Sequence, residues 1–238
     1  MRPFATLFAA DMGAMARSWV VWIWIIVTVL AGVAAVGISV AYTDKTSFIF
    51  SWALFLYMGM GSFVVIAISA SATSAELPYV GNAIVSRGVN PVQYVLAKLF
   101  SRFVTVLTVF LVVVVPVAFI MRFQGGNNDM NPSGILLGLG YVGVLLGTLV
   151  MLGVTFSAVI SNVLVAFALL GILWYSSLAG FVLAQSKGFS ADGILGDLPA
   201  ILQGAVDFSV YLPMLGYLSI PMLIIPGVAV LLFSTRDL

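Results

Sequence analysis

The stretch SAELPYVGNAIVSRGVNPVQYVLAKLFSR, residues 74–102, decides how this chain is read. It mixes one carboxylate (Glu76), Pro78, two glycines (Gly81, Gly88), an Asn90-Pro91 turn and the cations Arg87, Lys98 and Arg102. Apolar runs long enough to cross a bilayer flank it on both sides. A polar interval of this kind lies outside the membrane while its two ends lead into helices within it. It is a handle by which something outside the bilayer can move those helices.

Of the 238 residues, 63% are hydrophobic and 7% are charged, and the mean hydropathy is +1.22. One soluble core of this size could not hide so much apolar surface, so the composition predicts an all-α integral membrane protein. The chain has no Cys and no His. That removes disulfides, thiolate metal sites, imidazole haem ligation and every Ser-His or Cys-His catalytic pair. No cofactor and no enzymatic activity are expected of this chain, and a net charge of +1 gives no argument for nucleic acid.

A hydrocarbon core of about 30 Å takes about 20 helical residues. Six runs near that length are present, at about 19–40, 48–72, 99–121, 135–160, 163–184 and 211–233. Trp19, Trp22 and Trp24 mark the start of the first, where indoles favour the headgroup level. Pro116 should kink the third, and Pro213, Pro221 and Pro226 should make the sixth irregular. Gly143 and Gly147 stand at GxxxG spacing in the fourth, which favours close helix packing within one subunit. Ser161-Asn162 is so short a turn that the fourth and fifth spans must form an antiparallel hairpin. The stretch RFQGGNNDMNPSG, residues 122–134, is a turn-rich external loop.

Two further amphipathic helices are predicted. Phe4, Leu7, Phe8, Met12 and Met15 recur at helical spacing before the first span, with Thr6, Asp11 and Arg17 mainly elsewhere on the wheel. Residues 1–18 are therefore a helix lying along the membrane surface. Between the fifth and sixth spans, Ile194, Leu195, Leu198, Ile201, Leu202 and Val206 recur between charged residues. They predict a short extracytoplasmic helix on the outer surface or partly re-entering the membrane.

Orientation follows from the cations. Six (Arg2, Arg17, Arg87, Lys98, Arg102, Arg236) fall on the side of the two termini, against three (Lys45, Arg122, Lys187) on the other. The positive-inside rule puts both termini and the 74–98 segment in the cytoplasm.

No Asp, Glu, Lys or Arg stands near the middle of a predicted span, which disfavours proton- and ion-coupled transport. The spans do carry hydroxyls, among them Ser62 and Ser69 in the second and Ser176 and Ser177 in the fifth. Such hydroxyls usually bond their own preceding carbonyls or a neighbouring helix; lining a pathway is the alternative role for these four. The chain also lacks a Walker A loop, so any ATP that drives it is hydrolysed on another polypeptide.

At the 74–102 stretch the sequence resembles permeases of the ABC type-2 exporter family. In that family an acidic residue, a Gly five positions on, an apolar patch, an SRP(V/I)SR-like turn and a (Q/E)YVLGK-like run lead into the third span. The matching residues are Glu76, Gly81, Ala83 to Val85, Ser86-Arg87-Gly88-Val89-Asn90-Pro91 and Gln93-Tyr94-Val95-Leu96-Ala97-Lys98. The chain departs from the pattern at Gly88, at Asn90-Pro91 and at Ala97. The resemblance implies a permease subunit in a bacterial or archaeal cytoplasmic membrane, paired with a second permease copy along the second and fifth spans. It also implies two cytoplasmic ABC ATPase subunits that carry ATP and Mg. They would dock on a coupling helix with Tyr79, Ile84 and Val85 as apolar anchors, Glu76 and Arg87 as polar contacts and Gly81 between them. Lys98 and Arg102 would sit at the mouth of the third span with their charges among lipid phosphates, or simply fix topology. An apolar interior suits a lipid, a hydrophobic drug or an acylated peptide as substrate. A non-transporting membrane anchor for an ATPase or assembly factor and a passive channel are the rival readings.

Overall fold

The computed structural model describes residues 3–41, 45–74, 90–125, 127–186 and 197–234. Every regular element among them is a helix. In chain order these are α1 (Pro3–Ala16), α2 (Trp19–Ala41), α3 (Thr46–Leu56, Tyr57–Gly61 and Ser62–Ala70), α4 (Pro91–Val109, Phe110–Val114 and Val115–Gln124), α5 (Pro132–Val159), α6 (Val163–Ser186), α7 (Leu198–Gln203) and α8 (Phe208–Ser234). The middle pieces of α3 and α4 are single π-helical turns.

Five of these helices are long and apolar enough to cross a membrane: Trp19–Ala41, Thr46–Ala70, Val92–Gln124, Pro132–Val159 and Phe208–Leu232. They mark the chain as a multi-pass membrane protein.

α5 is the axis of the bundle. It carries the largest share of buried residues and packs against α3, α4, α6, α7 and α8. Glycines on several of its faces explain how it serves so many neighbours. Gly143 faces Phe110 of α4, and Gly147 receives Met222 of α8 and Phe103 of α4. Gly153 lies against Ser69 of α3. The GxxxG spacing is thus spent on packing within the chain, as expected. Phe50, Leu54, Met58, Ile66, Leu99, Leu146 and Leu149 fill the core around it.

Asparagine sets three helix starts. The Asn90 side chain accepts from the Val92 amide at 2.9 Å, Asn131 from Ser133 at 3.1 Å and Asn162 from Leu164 at 2.9 Å. Each satisfies an amide that the first helical turn leaves without a partner. In α4 and α5 a proline follows the cap, where its missing N–H costs nothing. The Asn-Pro pairs are therefore helix starts. This moves the beginning of α4 back from the predicted 99 to Pro91 and that of α5 from 135 to Pro132. The Ser161-Asn162 turn joins α5 to α6 as expected.

The expectation that three prolines make the last span irregular is corrected. α8 is one helix from Phe208 to Ser234 with Pro213, Pro221 and Pro226 inside it. Each proline removes one backbone bond, and a helix within a bundle tolerates such isolated losses. In α4 the backbone irregularity near Pro116 is the π turn Phe110–Val114, which ends two residues before the proline.

The predicted helix between the fifth and sixth spans is present as α7, six residues long. Its Leu198, Ile201 and Leu202 are buried against the starts of α3 and α5. Gly134 of α5 lets its backbone in close, since a Cβ there would lie 2.8 Å from the Leu202 carbonyl oxygen. Gly204, at φ 71°, then turns the chain away from α7.

Candidate functional site

The predicted coupling residues Glu76, Tyr79, Gly81, Ile84, Val85 and Arg87 lie outside the described residues. The two ends of their segment are described, and both are fixed to the bundle.

The first end is the last turn of α3. Ser157, near the end of α5, places its Oγ 2.6 Å from the Thr73 amide and 2.8 Å from the Ser74 amide. Helix C-termini ordinarily end on a left-handed glycine, but here a neighbouring helix accepts the amides just past the end. Both residues and Ser157 are fully buried. A few residues before, Ser69 sits in the notch that Gly153 leaves, so α3 and α5 cross at close range.

The second end is the start of α4. Lys98, Ser101 and Arg102 share one face at i, i+3 and i+4, and that face looks at α1. Lys98 Nζ lies 2.7 Å and Arg102 Nη2 3.5 Å from Oδ1 of Asp11. Ser101 Oγ donates to Asp11 Oδ2, and the Arg102 guanidinium rests on the Met15 sulfur. Thr105 continues the face toward Met12. Asp11, Lys98 and Arg102 are 6%, 8% and 4% exposed. Phe4 closes edge-on over Phe100, and Lys98 also lies over the Tyr94 ring.

This arrangement corrects the sequence reading of Lys98 and Arg102. Because α4 begins at Pro91, Lys98 stands roughly 10 Å inside the helix, at 1.5 Å per residue. Neither cation is left among headgroups; both are held by the Asp11 carboxylate. Charges taken out of water cost several kcal/mol each unless paired and hydrogen-bonded, so α1 cannot leave α4 without stranding them. Asp11, which the helical wheel put on the polar side of a surface helix, is the buried centre of the contact.

The other end of the bundle has a second polar knot. Asp129 accepts from the Ser47 amide at 2.9 Å and from the Ser47 hydroxyl at 2.6 Å, and Gln203 of α7 donates to Asp129 at 3.0 Å. It ties the start of α3, the 127–131 connection and α7 together.

Between the two ends, the π turns meet. Tyr57, in the π turn of α3, stacks on Trp24 of α2 at 6.4 Å and lies 6.2 Å from Phe110, in the π turn of α4. Phe110 in turn rests on Gly143 of α5. Three rings, from α2, α3 and α4, thus form one row that ends on Gly143 of α5. The π turn also frees the Gly59 carbonyl, which accepts from Tyr175 of α6 at 2.8 Å and from Ser62 at 3.0 Å.

The four hydroxyls singled out in the spans are all engaged. Ser62 is buried at the Gly59–Tyr175 contact, and Ser69 donates to the Val65 carbonyl. Ser176 and Ser177 are exposed on α6 and donate to the Leu173 carbonyl at 3.1 and 2.7 Å.

Local spacing does not mark Asp11, Ser157 or Tyr175 as partners. The i, i+3, i+4 grouping of Lys98, Ser101 and Arg102 was a usable signal that α4 has one polar face needing a carboxylate. Compared with known proteins, the chain matches no family model and no curated protein.

Proposed function

We propose that this chain is the membrane-spanning permease subunit of an ATP-driven exporter of the ABC type-2 kind. In this reading α6 is a sixth crossing, both termini face the cytoplasm, and the protein resides in a bacterial or archaeal cytoplasmic membrane. Two copies pair along α3 and α6, and two ATPase subunits, which hold ATP and Mg, grip the segment between Ser74 and Asn90. Glu76 and Arg87 are its polar contacts and Tyr79, Ile84 and Val85 its apolar ones, with Gly81 between.

The observation that carries the reading is the anchoring of that segment at both ends. A segment that transmits force needs stiff joints, or its displacement is lost in local bending. The Ser157 clamp on Thr73 and Ser74 and the Asp11 grip on Lys98, Ser101 and Arg102 provide two such joints. A push on the segment then tilts α3 and α4 together with α1 and α5, a two-state element biased from outside the membrane.

The test is to express the chain with its neighbouring genes, purify it in mild detergent and assay for a co-purifying ATPase. The comparison is with the double variant Glu76→Lys, Arg87→Glu. Co-purification and hydrolysis by the wild type, lost in the variant, is the expected result. An intact membrane protein that brings down no ATPase in either form would favour the passive channel.

A further inference from the structure

The two helices that carry π turns change neighbours at those turns. The first part of α3, Thr46–Leu56, packs mainly on α2, α7 and the last part of α4, Val115–Gln124. The last part of α3, Ser62–Ala70, packs mainly on α5, α6 and the first part of α4, Pro91–Val109. α4 divides in the same way, its first part lying on α1, α5 and α8 and its last part on α2. The two π turns touch, with Tyr57 6.2 Å from Phe110, and α2 packs on both of them.

The described residues thus sort into two bodies. One is α2 with Thr46–Leu56 and Val115–Gln124; the other is α1, α5, α6 and α8 with Ser62–Ala70 and Pro91–Val109. A π turn interrupts the regular ladder of the α-helix, and hinges are a few such positions that absorb the backbone change. In α3 the turn also holds Gly59 and Gly61. A Cβ at Gly59 would meet nothing within 4 Å, so no neighbour wedges the joint there. The face between the bodies is apolar, with Phe50 and Leu54 of one in the same core as Ile135 and Leu139 of the other. Such a face can shear without breaking polar bonds.

Two polar side chains reach across it among the described residues. α7 is seated on the start of α5, where the Leu202 carbonyl accepts from the Asn131 amide at 2.8 Å. From that seat Gln203 donates to Ser47 Oγ at 2.9 Å and to Asp129 at 3.0 Å. Tyr175 of α6 donates to the Gly59 carbonyl in the π turn itself, at 2.8 Å. One tie is thus at the far end of the moving body and the other at its joint.

We infer that α2 and the adjoining parts of α3 and α4 move as one body against the rest of the bundle. The paired π turns are the hinge, Gln203 is the latch at the far end and Tyr175 is a second hold at the hinge. The structure is the latched state. The inference needs only packing within one chain and stands apart from the exporter reading.

The test uses pairs of spin labels on the full chain, which has no cysteine of its own. Val40→Cys of α2 with Leu136→Cys of α5 spans the two bodies, and Val40→Cys with Phe123→Cys of α4 stays within one; all three positions are exposed. Each labelled protein is mixed with an excess of unlabelled chain before reconstitution in nanodiscs, so that only distances within a copy are read. Gln203→Ala leaves Ser47 and Asp129 bonded to each other. It should raise the population of a second distance for the spanning pair about tenfold, the effect of losing a bond to a carboxylate. Tyr175→Phe, which removes a bond between neutral groups, should raise it about fivefold. The pair within one body should keep a single distance in all three proteins. Amide exchange inside α2 and Thr46–Leu56 should match the wild type, because a swing leaves the helices intact. The inference is overturned if the spanning pair keeps its wild-type distances in both variants, or if the pair within one body spreads along with it. It is also overturned if exchange inside those helices rises in Gln203→Ala, because Gln203 would then hold the fold and not a hinge.

Discussion

Lys98 Nζ of α4 lies 2.7 Å from Asp11 Oδ1 of α1, in a contact that also takes in Ser101 and Arg102 and is almost wholly buried. One carboxylate joins the helix that precedes the first crossing to the helix that begins the third. Whatever moves the start of α4 therefore moves α1 with it.

Replacing Asp11 tests that joint. Asp11→Ala strips two buried cations of the carboxylate they share, which costs roughly 3–5 kcal/mol when a buried pair is broken on one side. The expected result is a large drop in the thermal unfolding midpoint in nanodiscs. Asp11→Leu combined with Lys98→Met should recover part of that loss. Equal stability of wild type and Asp11→Ala would contradict the joint.

Ser157→Ala leaves the Thr73 and Ser74 amides buried without an acceptor, at about 1–3 kcal/mol for each unsatisfied group. Hydrogen exchange should speed up at residues 73 and 74, while the start of α5 is unchanged. Unaltered protection at 73 and 74 would show that Ser157 does not hold the end of α3.

Gly153→Ala should destabilise the α3–α5 crossing by about 1–3 kcal/mol, because the added methyl runs into Ser69. Pairing it with Ser69→Gly makes room and should restore most of the stability. A thermal unfolding cycle over the four proteins measures the coupling. Additive losses would mean that the two residues are not in contact.

Tyr175→Phe removes the donor to the Gly59 carbonyl at the π turn of α3 but leaves Ser62 bonded to it. The expected loss is about 1 kcal/mol, with faster exchange confined to residues near Gly59. A loss several times larger would mean that Tyr175 holds the π turn itself.

Asp207 gives a pH dependence. Hydrogen bonds from Ser209, through its side chain first and its amide second, hold the Asp207 carboxyl below the usual carboxylate range. A folded pKa lowered in this way adds stability above the unfolded value and loses it as pH falls through the lowered one. The first turn of α8 should fray on acidification, read as amide exchange at residues 208–211 relative to Asp207→Asn, whose cap does not titrate. Identical acid behaviour of the two proteins would contradict the assignment.

Five of the six predicted spans were legible because lipid demands about 20 apolar residues in a row, a signal that lies within each segment. The Ser161-Asn162 hairpin was legible for the same local reason. The Asn-Pro pairs were legible as breaks but not as caps, since a turn and a helix start use the same residues. Asp11 was out of reach because its partners are some ninety residues away. The row formed by Trp24, Tyr57 and Phe110 was hidden too: a π turn shifts side chains by one position against the helical wheel, and Pro116 marked a disturbance in α4 without saying that it would be a π turn.

The central claim is that ATPase subunits outside the membrane move α3 of two paired copies. The chain has no cysteine, so Met60→Cys, at an exposed position on α3, carries one spin label per copy. The measurement is the label-to-label distance in the purified complex with and without a non-hydrolysable ATP analogue. The account predicts a defined distance between copies that shifts on adding nucleotide and ceases to shift in the Glu76→Lys, Arg87→Glu background. An absent inter-copy signal, or one that nucleotide leaves unchanged, would contradict it.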